Sequence, residues 1–269
     1  MLVPTTVVLV VAGLIFGSFA NAAIWRIKHG GDLIFGRSQC PRCRHRLAWY
    51  DLIPVISWLM LLGRCRYCRK PISWQYPAVE LAVAAYFVAS YLFWPYALIG
   101  PVAWAVFGLW LLFGPLLAIL FVYDLRWYLL PDKIMLPLIV LAAISFVLRG
   151  GVLSSSFSLS AFAASLAAAL AVVGGLYWAL YLFSRGRWVG LGDVKLGVFI
   201  GLALGWQGAL VALMLANLAG FLIVLPGLAL RKLNMTSRVP FGPFLIAGFV
   251  AAGLFGEWLI DWYLNARWF

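Results

Sequence analysis

Apolar runs of about twenty residues, each long enough to cross a hydrocarbon core as a helix, leave this chain few ways to fold except within a membrane. They extend from about Val3 to Ala23, Tyr76 to Trp94, Val102 to Tyr123 and Ala161 to Phe183, with a shorter one from Lys133 to Val147. A longer apolar stretch follows from Leu196 to Leu230, and a last run ends near Ile260. Gly205-Trp206-Gln207-Gly208 reads as a turn dividing the long stretch, and its first half is too short for an ordinary span. The expectation is an all-α polytopic membrane protein of about eight transmembrane helices, both termini external. The first run lacks a preceding basic region and a small-residue cleavage site, so it reads as a retained span.

The net charge of +12 raises the question of nucleic acid, and the placement of the charges answers it. All lysines and arginines except Arg149 and Arg267 fall in four segments: residues 26–75, Arg126 with Lys133, Arg185 to Lys195, and Arg231 to Arg238. Positive charge confined to alternate loops is the positive-inside pattern, which puts these segments in the cytoplasm. It argues for contact with membrane lipid and against a nucleic-acid partner. Within the first span, Gly13 and Gly17 followed by Ser18 would let a neighbouring helix approach closely.

Residues 26–75 form a polar insert that holds every cysteine: Cys40-Pro-Arg-Cys43 and, after a spacer of twenty-one residues, Cys65-Arg-Tyr-Cys68. Two such knuckles match a tetrahedral four-thiolate zinc site. A segment of this size has too little core to be stable alone, so a structural metal makes physical sense. Arg42, Arg44, Arg66 and Arg69 around the knuckles favour thiolate. A pair of disulfides needs an oxidising compartment; an iron–sulfur centre or thiol redox pairs are further readings. The chain thus divides into a first transmembrane helix (1–25), a cytoplasmic zinc-binding insert (26–75) and a membrane-embedded domain (76–269).

Only eight acidic residues occur, and ionisable groups at a membrane boundary point to function. Asp193, in Gly190-Leu191-Gly192-Asp193-Val194-Lys195, reads either as a cap of a helix beginning near Val194 or as functional. Asp124 ends an apolar helix, where the dipole disfavours negative charge, so structure alone gives it little reason to be there. Asp132, between Pro131 and Lys133, reads as an N-cap, with Pro137 in the first turn of the helix that follows. Glu80, at the start of the second span, would complement a helix dipole or pair with an arginine of the insert. His29 and His45 lie in the insert and read as surface residues or as neighbours of the metal. The predicted topology puts Asp124 and Asp193 at one membrane face. Two adjacent carboxylates share a proton, so one can deprotonate a water attacking a peptide carbonyl while the other hydrogen-bonds the carbonyl oxygen. A proton-coupled transporter could use the same pair. No serine-centred nucleophile motif and no HExxH are present.

These motifs, in this order, resemble the type IV prepilin peptidases, a GxGD class of intramembrane aspartic protease. The match includes Gly17-Ser18-Phe19 with Asn21, both knuckles, Asp51-Leu52-Ile53-Pro54, Ser57-Trp58, Tyr76-Pro77 with Glu80, and Asp124 through Leu130-Pro131-Asp132. It continues through Gly190 to Lys195 and Pro240-Phe241-Gly242-Pro243. The resemblance implies that Asp124 and Asp193 are the catalytic pair. They would cleave the basic leader of a prepilin or pseudopilin at the cytoplasmic face of the bacterial inner membrane, after a glycine. It also implies N-methylation of the new terminus from S-adenosylmethionine, with zinc on Cys40, Cys43, Cys65 and Cys68. No GxGxxG strand–helix unit marks a site for that methyl donor. A basic leader would also meet a basic insert, relieved only by anionic lipid or by Asp32, Asp51 and Glu80.

Overall fold

A computed structural model describes residues 2–33, 36–152, 158–230 and 239–265. The basic segment Arg231 to Arg238, Arg267 and most of the Ser154 to Ser160 stretch lie outside the described residues. The described elements are α1 (Leu2–His29), α2 (Ile56–Met60), α3 (Gln75–Leu92), α4 (Gly100–Trp127), α5 (Asp132–Val147), α6 (Leu159–Leu170), α7 (Leu176–Ser184), α8 (Leu191–Ala229) and α9 (Gly242–Asn265). A 3₁₀ turn spans Trp49–Leu52, and π turns span Leu148–Val152 and Ala171–Gly175. Among the described residues there is no strand, only two isolated β-bridges in the insert. This is a multi-pass, all-α membrane protein.

Among the described residues, six helical spans are long and apolar enough to cross a membrane, against the eight expected. The first difference is α3, whose opening turns carry Gln75, Tyr76 and Glu80 and dilute its apolar character; it is not among the six. The second is the Leu196 to Leu230 stretch, which falls in one helix broken at Gly205. The break is narrower than the expected four-residue turn. Gly205 alone leaves helical geometry, at φ 74° and ψ 174°, a region essentially restricted to glycine. From Leu191 to this break the helix is about 20 Å long at 1.5 Å per residue. Pro137 falls in the second turn of α5, not the first.

The chain separates into two compact units. The first comprises residues 1–92 and 111–122. Here α1 lies directly against α3: a Cβ at Gly13 would stand 2.5 Å from the Cα of Ala84, and one at Gly17 2.6 Å from the Cα of Glu80. The small residues of α1 therefore do what their spacing predicts, letting two backbones meet. Phe113, Leu117 and Leu120 are fully buried in this unit. The second unit comprises residues 93–110 and 123–269. Its core is built from Met135, Leu138, Leu196, Phe199, Ile200, Leu245 and Phe249, all fully buried. Gly248 brings α9 onto Ala212 and Ala216 of α8, and Gly197 brings α8 onto the π turn at Val173 and Gly174.

Candidate active site and metal centre

Asp124 lies in the last turn of α4 and is buried. Its Oδ2 accepts the backbone N–H of Gly242, the first residue of α9, at 3.0 Å. Gly242 is required there because a Cβ would stand 2.6 Å from that same oxygen. Asp193 lies in the first turn of α8, which begins at Leu191, three residues earlier than expected. Its Oδ2 accepts the N–H of Gly190 at 3.3 Å, reaching back to the residue before the helix. The bond resembles the return half of a capping box, so a capping contact exists, although Asp193 is inside the helix and not at its N-cap. Gly192 packs on Leu130, where a Cβ would come within 2.9 Å of Cδ1. The Asp124 and Asp193 carboxylates interact electrostatically, and the Tyr177 hydroxyl feels the charge of Asp193. The two sequence-selected aspartates are thus brought together within the second unit, each holding a backbone N–H.

Asp132 is not an N-cap. Pro131 occupies that position with no side-chain bond, and Asp132 opens α5 and pairs with Lys195 Nζ at 2.6 Å. The pair joins the starts of α5 and α8 beside Asp193. Both side chains are well exposed, which limits such a pair to about 1 kcal/mol or less.

In the insert, each knuckle is closed by the same backbone pattern. Cys40 N–H donates to His45 O and Arg44 N–H to Cys40 O; Cys65 N–H donates to Lys70 O and Arg69 N–H to Cys65 O. Arg44 and Arg69, each directly after a second cysteine, both take left-handed φ of 58°. This repetition brings all four Sγ atoms within 4.8 Å of one another, with Cys40 and Cys68 at 4.0 Å. A tetrahedral ion with bonds of about 2.3 Å requires sulfur separations of about 3.8 Å. All four thiols are free, and the cluster has the composition and spacing to hold a metal ion. Burial pushes the Cys40 thiol up, but the N–H groups of Cys43 and Arg42 outweigh it and bring it down to about 7.

Asp51 braces this cluster from the 3₁₀ turn. It takes Arg66 Nε at 2.8 Å, the Tyr67 hydroxyl at 3.0 Å and Ala48 N–H at 3.3 Å. His45 packs its ring on Tyr67 with centroids 3.7 Å apart, and His29 bonds the Trp25 carbonyl of its own helix. Glu80 makes no ion pair with an insert arginine. Its Oε2 accepts Val55 N–H at 2.7 Å, and Ser18 adds a hydroxyl bond. That bond holds Val55 at φ 60°, a strained position for a β-branched residue.

Comparison with known proteins shows which family the chain belongs to. Residues 11–94 match the model described as Bacterial Peptidase A24 N-terminal domain, and residues 111–225 match the Type IV leader peptidase family. A prepilin leader peptidase/N-methyltransferase of Aeromonas hydrophila is 38% identical over 235 residues, covering 87% of this chain and 77% of that protein. The chain belongs to the type IV leader peptidase family. Relatives bearing the same name include one of Klebsiella pneumoniae, 41% identical over 224 residues (78% of this chain, 89% of the relative). Another, from Stutzerimonas stutzeri, is 33% identical over 286 residues (95% and 92%). No solved structure matches at the same stringency. As a leader peptidase, the chain keeps two contacts that sequence reasoning did not assign: the Gly242 N–H on Asp124 and the Lys195 pair with Asp132. Gly242 lies in Pro240-Phe241-Gly242-Pro243, but backbone donors have no side-chain signature.

Proposed function

We propose that Asp124 and Asp193 form the catalytic pair of a peptidase that removes the basic leader of a type IV prepilin or pseudopilin. The observation that carries this reading is the placement of two carboxylates, one ending α4 and one opening α8, near enough to interact electrostatically and each accepting a backbone N–H. The shared proton of such a pair lets one carboxylate accept a proton from the attacking water while the other hydrogen-bonds the scissile carbonyl. Gly242 N–H fixes Asp124 in orientation, and the Asp132–Lys195 pair fixes the first turn of α8. The positive-inside distribution supports a cytoplasmic active face in the inner membrane. The names of the relatives support methylation of the new N-terminus; S-adenosylmethionine, when bound, supplies an electrophilic methyl group. Zinc fits Cys40, Cys43, Cys65 and Cys68 by donor chemistry and separation, where it would hold the insert together.

The test is cleavage of a prepilin by purified enzyme in detergent, with the product N-terminus read by mass spectrometry. Asp124→Asn and Asp193→Asn should each lose at least about 10²-fold in rate while unfolding at the wild-type temperature. Full cleavage by either variant would end the assignment.

A further inference from the structure

A cavity in the first unit takes no part in the cleavage chemistry proposed above. It lies between α1, α3 and the insert and offers about 140 Å³ of solvent space, room for about ten waters or about 300 Å³ of ligand. That is the lower end of the range for small-molecule sites. Trp25, Trp58 and Tyr76 line it, and Cys40 and Cys65 put the cysteine cluster along one side. Glu80 lines it as well, only 6% exposed. The partners of Glu80, Val55 N–H and the Ser18 hydroxyl, are neutral. The ion pairs found among the described residues, Asp51 with Arg66 and Lys195 with Asp132, do not include it. Arg26, Arg37 and Arg66 share the cavity; the Arg26 guanidinium is committed to the carbonyls of Leu33 and Gly36, and Arg66 to Asp51. A carboxylate taken out of water is costly unless a charge answers it. Here that place is open toward a cavity whose tryptophan faces also attract cations.

We propose that this cavity binds S-adenosylmethionine, with its cationic end toward Glu80 and its adenine against Trp25 and Trp58. The proposal rests on the methyl-transfer reading, which requires a donor site that the aspartate pair does not provide. The donor combines a sulfonium charge, a flat aromatic base and a carboxylate of its own; the cavity combines Glu80, which has no ion-pair partner among the described residues, with aromatic walls and the cationic Arg37.

The experiment is isothermal titration of zinc-loaded full-length protein in detergent with S-adenosylmethionine and, separately, S-adenosylhomocysteine, with no prepilin present. Wild type should bind the sulfonium form more tightly than the neutral thioether. Glu80→Gln keeps an acceptor for Val55 N–H; it should weaken the sulfonium form at least about tenfold and abolish the preference. Zinc content per chain reads whether the insert has folded, and Trp25→Leu gives a second reading should Glu80→Gln lose its metal. If wild type methylates trimmed prepilin while both variants bind the donor unchanged, the cavity assignment falls and methyl transfer stands. If wild type trims prepilin but neither binds the donor nor methylates, the methyl-transfer reading falls and takes this occupant with it. Binding by a short peptide with a free N-terminal amine in place of the donor would assign the cavity to the methyl acceptor and overturn the proposal.

Discussion

At Gly242 a hydrogen atom stands where any other residue would put carbon 2.6 Å from Asp124 Oδ2. Gly242→Ala must therefore turn the Asp124 carboxylate or shift the start of α9. A displacement of about 1 Å at a reacting group costs about 10²-fold, so kcat/KM for prepilin should fall by that order with little loss of thermal stability. An unchanged kcat/KM would show that the Gly242 N–H does not position Asp124. Asp51 gives a residue-scale prediction of another kind. Burial pushes its carboxyl up, but Arg66, the Tyr67 hydroxyl and Ala48 N–H together hold it below the usual range. A carboxyl lowered on folding contributes stability above its unfolded value of about 3.9, and that contribution is lost as pH falls through the lower folded value. Urea unfolding followed by tryptophan fluorescence should separate wild type from Asp51→Asn at pH 7, with the gap closing toward pH 3. The two aspartates of the pair could be found in sequence because charge is conspicuous beside apolar runs. Gly242 could not, since its contribution is a backbone N–H that every residue but proline carries.

Among the elements, α8 has the sharpest constraint. A Cβ at Gly205 would meet nothing within 4 Å, so Gly205→Ala carries only the conformational cost of φ 74°, about 1–3 kcal/mol. Thermal unfolding in detergent should show a destabilisation of that order without a packing defect, and a wild-type melting curve would mean that α8 can straighten. At α1 the reverse holds: Gly17→Leu collides with the backbone of α3 at Glu80, and repacking should lower stability by more than any exposed substitution in α1. A close-packing face on α1 was legible because small residues at a spacing of four mark one face of a helix; that α3 fills it was not, since the spacing names no partner. The start of α8 was not, because Gly190 and Gly192 weaken the local helical signal, while packing of Gly192 on Leu130 compensates in the folded chain. Asp132 reads as a cap in sequence for a similar reason. Pro131 and Lys133 make a plausible local cap, and the actual partner, Lys195, lies sixty-three residues away.

Across the whole molecule, packed apolar helices and the thiol cluster hold different parts of the fold. The second unit rests on a buried apolar core, whereas residues 36–73 carry short elements and the thiol cluster. Chelation should therefore raise amide hydrogen exchange first in residues 36–73, with the cores of α8 and α9 still protected. Simultaneous loss of protection in both units would contradict this. The membrane class and the thiol cluster were legible because both are set by spacing along the chain. The division into two units was not, since it depends on which helix faces meet. The four free thiols have a further consequence for how the chain is assembled. On the proposed orientation, the cluster closes only on the reducing side of the membrane. A copy inserted the wrong way round would carry the same cysteines into an oxidising space, where they would be lost as metal ligands and the insert would stay unfolded. The cluster would then report topology, closing only in chains inserted with the insert on the reducing side.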